Sequence, residues 1–176
     1  MSERSESNGF TLIETMVYLA IYSIIMTGTL LSVYAIFGSS ARNQTKALAQ
    51  EEGSFLVAKI DWALTGTQTI SSPAMNASGD SMTVSKFAPF AENPISISVV
   101  GGKMMISRAG HTAVALNNSN TMITCPPSPD SCFKHVSASG DGINPESLTA
   151  KFTLHATTSE GLPFSQDFTT VKYLRR

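Results

Sequence analysis

The chain reads as an α+β protein: one long N-terminal helix, its first half apolar and its second half amphipathic, packed on an antiparallel β-sheet head. Three observations predict this. Met16 to Phe37 is a run of 22 residues without a charge, and ~20 apolar residues suffice for a helix to cross the ~30 Å hydrocarbon core of a bilayer. Proline is absent from Phe10 through Ser72, and Arg42 to Leu64 is rich in good helix formers. From Pro73 onward the apolar period changes to two, which is the period of a half-buried strand.

Taken in order, residues 1–9 form a short polar leader, 10–37 an apolar helix, 38–72 an amphipathic helical stem and linker, and 73–176 a β-rich head. The helix is expected from Phe10 to about Thr67, with Gly66 and then Ser71-Ser72-Pro73 marking its end. Glu14 stands at the start of the apolar run, where a carboxylate is costly. Gly28, between Thr27 and Thr29, is a soft spot in the apolar half, because glycine costs ~1 kcal/mol in a helix interior. It is either a place where the helix unwinds or a glycine tolerated in lipid. In the stem, Leu48, Phe55 and Trp62 recur at sevens, and Leu56, Ile60 and Ala63 fall on an adjoining face. Arg42, Lys46, Gln50 and Asp61 lie largely off that arc, while Glu52 and Lys59 intrude on it. Phe55, Leu56, Ile60 and Trp62 are expected to pack against the sheet.

In the head, Met82 to Phe87 and Ile95 to Val99 alternate. Gly101-Gly102 then leads into Lys103 to Ser107, a two-residue hairpin signal. Thr112 to Leu116 and Thr121 to Thr124 add strands, with Asn117-Asn118-Ser119-Asn120 as the turn between them. Leu148, Phe152 and Leu154 alternate in one strand, and Phe168 to Tyr173 returns after Glu160-Gly161-Leu162-Pro163. The loop from Pro126 to Pro145, with Gly140-Asp141-Gly142, is read as peripheral, and a single antiparallel sheet as the economical architecture.

The order of the first elements sets this chain apart from an ordinary secretory precursor, whose apolar core precedes its cleavage site and is discarded. Here Gly9 comes first, followed by Phe10-Thr11-Leu12-Ile13-Glu14 and the apolar run. That arrangement resembles the class III leader of type IV pilins and pseudopilins. The resemblance covers roughly residues 9–37, and Ala49 to Leu64 also looks like the stem of minor pilins and J-type minor pseudopilins. It implies a pilin-like fold, cleavage between Gly9 and Phe10 by a prepilin peptidase, N-methylation of Phe10, and a role for Glu14 in assembly. The new amino terminus of Phe10, from the same subunit or a neighbour, would be the counter-charge of Glu14. Implied partners are other pilin subunits, an inner-membrane assembly platform and, indirectly, an ATPase motor. The implied location is the inner membrane as a single pass with the head outside the cytoplasm, then an extracellular or periplasmic filament. This leader departs from the basic leaders of the family in holding Glu3, Arg4 and Glu6, so its positive-inside signal is weak.

The resemblance leaves three systems open: a type IV pilus, a competence pilus and a type II secretion pseudopilus. Rival readings are a tip adhesin or DNA-uptake subunit, and a domain using an ordinary signal cut after Ser39-Ser40-Ala41. Charge disfavours nucleic acid: removing residues 1–9 leaves 11 acidic and 11 basic side chains, and a neutral head exerts no long-range pull on polyanions. Lys172, Arg175 and Arg176 read as a solvated basic end.

Cys125 and Cys132 bracket Pro126-Pro127-Ser128-Pro129-Asp130-Ser131. Outside the cytoplasm they are expected to form a disulfide, worth ~2.5 kcal/mol for so short a loop. Free thiols are the alternative. Zinc is a poor one, since only His135 lies near as a further ligand. No catalytic constellation appears: His111, His135 and His155 are scattered, Glu51-Glu52 point apart on a helix, and no phosphate loop or Gly-x-Ser-x-Gly elbow is present. Asp130 and Asp141 lack the clustered oxygens of a calcium site. Asn43-Gln44-Thr45, Asn76-Ala77-Ser78 and Asn117-Asn118-Ser119 match an acceptor pattern that is common by chance. The expectation is therefore no catalytic residue, no cofactor and no metal.

Overall fold

Good helix formers without proline give a single helix, α1, over Leu12–Leu64. The structure, a computed structural model, describes residues 11–139, 145–157, 161 and 163–174. The chain divides into two compact units between Arg42 and Asn43. In the second unit α1 is followed by β1 (Thr67–Ser72), β2 (Ser78–Gly79), β3 (Ser81–Lys86), β4 (Ile95–Val100), β5 (Lys103–Arg108), β6 (Val114–Ala115), β7 (Thr121–Thr124), β8 (Phe133–Val136), β9 (Ser147–Thr157) and β10 (Pro163–Tyr173).

The helix stops earlier than the sequence suggests. Gly66 takes φ +72°, the left-handed conformation that terminates helices at glycine. The stretch expected as linker is the edge strand β1, paired with β3. The helix has no basic residue in its last turn, but a cation comes from elsewhere: Lys86 Nζ on β3 donates to the Trp62 carbonyl at 2.6 Å. A positive charge there complements the negative end of the helix dipole. The ammonium also sits 4.1 Å from the Trp62 ring centroid and 5.2 Å from that of Phe90. Desolvation lowers its pKa from the ordinary 10.5.

The strands form two antiparallel sheets rather than one. The first has the order β1-β3-β4-β5-β6; the second runs β10-β9-β8-β2, with β7 also on β9. The Gly101-Gly102 turn between β4 and β5 is as expected, with φ of 58° and 76°, the paired positive values of a type I′ hairpin. Asn117-Asn118-Ser119-Asn120 is a different kind of connection. It carries the chain from β6 in the first sheet to β7 in the second, because Asn117 anchors it inside: the residue is buried, its Oδ1 accepts from Met104 N–H at 2.9 Å and its Nδ2 donates to the Thr121 carbonyl at 3.0 Å. The segment read as a peripheral loop holds another correction. Its middle is β8, inside the second sheet, with Phe133 and His135 buried. Gly140-Asp141-Gly142 lie outside the described residues.

One apolar cluster joins helix and sheets: Ala49, Leu56, Ile60, Ala63 and Leu64 of α1 meet Met82, Val84, Ile95, Ile97 and Met104 of the first sheet and Ile123, Phe133, Leu148, Phe152 and Leu154 of the second. Leu56 and Ile60 pack as expected, at 0% exposure, but Phe55 and Trp62 are 45% and 37% exposed. The buried arc runs through Ala49, Leu56 and Ala63, one residue on from Leu48, Phe55 and Trp62, and a step of one turns a side chain by about 100° on a helix. The intruding charges have local partners. Glu52 Oε1 accepts from Thr121 Oγ1 at 2.8 Å and from the Asn118 N–H. Lys59 Nζ lies 5.5 and 5.8 Å from the Phe55 and Trp62 ring centroids.

Gly53 sets how closely β10 approaches the helix. A Cβ placed there would lie 2.0 Å from Cζ of Phe168, whose ring stacks on Phe152 at 5.5 Å. Gly53→Ala is expected to destabilise the head by about 1–3 kcal/mol, overpacking exceeding the ~1 kcal/mol gained in helix propensity. Phe168→Leu in the same chain should return part of that loss. Denaturation of the full chain in detergent micelles, followed by the fluorescence of Trp62, measures both.

Candidate functional site

The first turn of α1 is built around Thr11 and Glu14. The Thr11 carbonyl accepts from the N–H groups of Glu14 at 3.0 Å and Thr15 at 3.2 Å, opening the helical ladder. Thr11 therefore occupies the N-cap position, and Glu14 follows at the spacing of a capping box, a local helix-start signal. An acid here faces the positive end of the helix dipole. Glu14 is half-buried and its Oε1 accepts from Tyr18 Oη at 3.4 Å. Gly9 and Phe10 lie outside the described residues.

Beyond Glu14 the helix presents apolar side chains outward. Leu12–Leu64 contains an 18-residue window apolar enough to cross a membrane, and none of that window is buried. Its serine and threonine hydroxyls bond within the helix: Ser23 donates to the Leu19 carbonyl, Thr27 to that of Ser23, Thr29 to that of Ile25 and Ser32 to that of Gly28, at 2.8–2.9 Å. With the backbone and these serine and threonine hydroxyls bonded internally, such a surface can enter lipid or a dry helical bundle at little polar cost. The helix is continuous through Gly28, and a Cβ there would meet nothing within 4 Å. Close packing inside this chain therefore does not require that glycine.

In the head, Cys125 and Cys132 are bonded to each other. Asp80 lies beside them, its oxygen within 4.8 Å of both sulfurs, and its Oδ1 accepts from the Cys132 N–H at 3.3 Å. With both sulfurs in the disulfide, the carboxylate holds a backbone amide and no ligand set forms. The three histidines are not brought together. The His111 carbonyl accepts from Ser107 Oγ, and His155 Nε2 lies 2.8 Å from Thr124 Oγ1. His135 is buried with Glu146, the two being 2% and 6% exposed. Its Nδ1 lies 3.1 Å from the Pro73 carbonyl and its Nε2 2.9 Å from Glu146 Oε1. A carbonyl only accepts, so Nδ1 donates to it, and one proton bridges Nε2 and the carboxyl group. Glu146 also takes the Leu174 N–H on its own carbonyl at 2.8 Å. These contacts tie β8 and the start of β9 to the chain before β2. The pair is a structural clasp that sequence spacing gave no reason to expect.

Residues 4–30 match the family model described as the prokaryotic N-terminal methylation motif, a class III prepilin leader consistent with the type IV pilin-like family. The match takes in Gly9, Phe10 and Glu14. It supports a type IV pilin-like or pseudopilin-like precursor, and such a leader implies processing by a prepilin peptidase and assembly with other pilin subunits. The motif points to a structural subunit and, with the apolar helix, to membrane anchoring before assembly. No curated protein and no solved structure gives a significant match to the chain.

The clasp has a measurable consequence. Glu146→Ala leaves the His135 Nε2 buried and unpaired and is expected to cost about 2–4 kcal/mol. Glu146→Gln, whose amide can donate to that nitrogen, should cost less than half as much. Denaturant titration of the full chain in micelles distinguishes the two.

Proposed function

We propose that the chain is a minor structural subunit of a type IV pilus-like filament, cut after Gly9, N-methylated at Phe10 and assembled through its N-terminal helix. The observation that carries this reading is the methylation-motif match over residues 4–30, lying on a helix whose uncharged part is unburied. The subunit first sits in the inner membrane as a single pass with its head outside the cytoplasm. It is then drawn into the fibre, where neighbouring helices replace lipid.

Glu14 supplies the direction and register of that step. A carboxylate in a low-dielectric surrounding is costly until it meets a cation, and two unit charges 4 Å apart at an effective dielectric of 20 attract by about 4 kcal/mol. The methylated amine of Phe10 on the preceding subunit is such a cation. It exists only after cleavage, so the uncut precursor cannot engage in this way. Pairing across subunits also fixes the axial stagger between them.

Mass spectrometry of the mature protein should find N-methylated Phe10 as the first residue; a chain beginning at Arg42 would overturn the reading. Glu14→Ala is expected to be cleaved and inserted normally but to fall about tenfold or more in sheared filaments, a loss of at least ~1.4 kcal/mol in docking. Immunoblots of the sheared and membrane fractions report it, and unchanged incorporation would remove Glu14 from the mechanism.

A further inference from the structure

β9 has two edges. β10 fills one along its whole length, and β7 and β8 share the other, pairing with residues 153–156 and 147–150 respectively. These two strands are collinear pieces of one edge. Between them the chain leaves the sheet for Pro126-Pro127-Ser128-Pro129-Asp130-Ser131 and returns, and the Cys125–Cys132 bond closes the neck, with Cα atoms 4.7 Å apart. The ladder resumes at once, the Cys132 carbonyl accepting from Lys151 N–H at 2.8 Å. Pro127 to Asp130 are exposed. The excursion adds nothing to the sheet. Three prolines and a covalent neck make it a preorganised surface element, the kind that loses little entropy on binding.

A groove of about 440 Å³ lies between α1 and the β5–β6 edge, and its lining includes Phe55, Lys59, Trp62 and Val114. The Lys59 ammonium lies beside the two rings and forms no ion pair with a carboxylate among the described residues. Aromatic walls are the usual recognition surface for proline-rich segments. The loop cannot reach this groove in its own molecule. Its neck lies beside Asp80, just before β3, and the groove's Trp62 lies beside Lys86, at the far end of that strand, a span of about 20 Å for six residues.

We propose that the disulfide-necked loop of one copy docks in the Phe55–Lys59–Trp62 groove of a second copy, its prolines against the rings and the Asp130 carboxylate against Lys59. Asp130 is free to change partners. Its present one, Lys134, stands 3.9 Å away in an exposed pair, and such pairs contribute little. Loop and groove are different surfaces, so the contact is heterologous and can join more than two copies. It involves the stem and head from Phe55 onward and does not depend on Gly9 cleavage or on Glu14.

The test is photo-cross-linking in the full chain in its own membrane, with a benzophenone amino acid at Ser128. The expected result is adducts between copies, in a ladder beyond the dimer, with the attachment mapped by mass spectrometry to residues 55–62. Asp130→Lys and Lys59→Glu should each lower the adduct yield about fivefold, and the two together should restore it to within about twofold. Asp130→Lys lies on an exposed loop and keeps the test interpretable if Lys59→Glu perturbs the stem. Absence of self-adducts, adducts to a different protein alone, attachment elsewhere on the second copy, or charge reversals without effect would each overturn the proposal. The methylation state of Phe10, read from the same sample, reports separately on the filament reading.

Discussion

The head depends on one arc of α1. Ala49, Leu56, Ile60, Ala63 and Leu64 are buried under both sheets at once, and Gly53 lets Phe168 of β10 come in beside them. Each five-stranded sheet has an apolar face that water would otherwise wet, and the helix is the element common to both. Burying a Leu or Ile side chain fully is worth about 1.5–3 kcal/mol, against a net stability of about 5–15 kcal/mol for a typical domain. Two or three positions on this arc therefore decide whether the sheets stay together. The small residues matter as well, because Gly53 leaves the room that the Phe168 ring occupies beside the helix.

Polar groups then fix what the apolar arc leaves undetermined. Non-directional burial would tolerate several ways of leading the chain from the first sheet to the second. Asn117 specifies one, bonding Met104 on one side and Thr121 on the other, while Glu52 holds the next turn from the helix. His135 and Glu146 do the same between β8 and β9, and Lys86 closes the helix end that the local sequence leaves without a cation. Buried bonds of this kind contribute modestly when made and cost more when half broken, so they select an arrangement more than they stabilise it.

These devices also explain what the sequence could and could not tell. The long helix, the Gly101-Gly102 hairpin, the β9–β10 pair and the Cys125–Cys132 bond follow from local chemistry: composition, period, turn residues and short spacing. The core arc is legible at Leu56 and Ile60, which are buried as expected, but not at Phe55 and Trp62, which lie on its exposed flank. Leu48 and Trp62 are larger than Ala49 and Ala63, and a search for apolar bulk follows the larger residues to the exposed flank. β8 was missed because Phe133-Lys134-His135-Val136 is short, follows three prolines and alternates through a histidine whose partner Glu146 lies 11 residues on. Nothing local says that such a histidine is buried. The second sheet was hidden for the same reason, since the connection through Asn117 looks like a hairpin turn until its long-range bonds are known. At the amino terminus, Gly9-Phe10 and Glu14 were legible as a motif, and the capping-box spacing from Thr11 was present but unread.

That spacing offers Glu14 a purely local role, and magnitudes decide whether it suffices. A carboxylate at a helix N-terminus gains about 0.3–1 kcal/mol from the dipole at an exposed site. Moving the same carboxylate toward the middle of a bilayer costs about 2.5–3.5 kcal/mol on insertion scales, and more in estimates for an isolated helix. Local capping can hold Glu14 at an aqueous or interfacial helix start. That gain is smaller than the cost the carboxylate would meet if the apolar run beside it, all of it unburied within the chain, were drawn out of contact with water. On the function proposed above, a neighbouring cation would offset that cost and would make an otherwise unfavourable residue a condition for assembly.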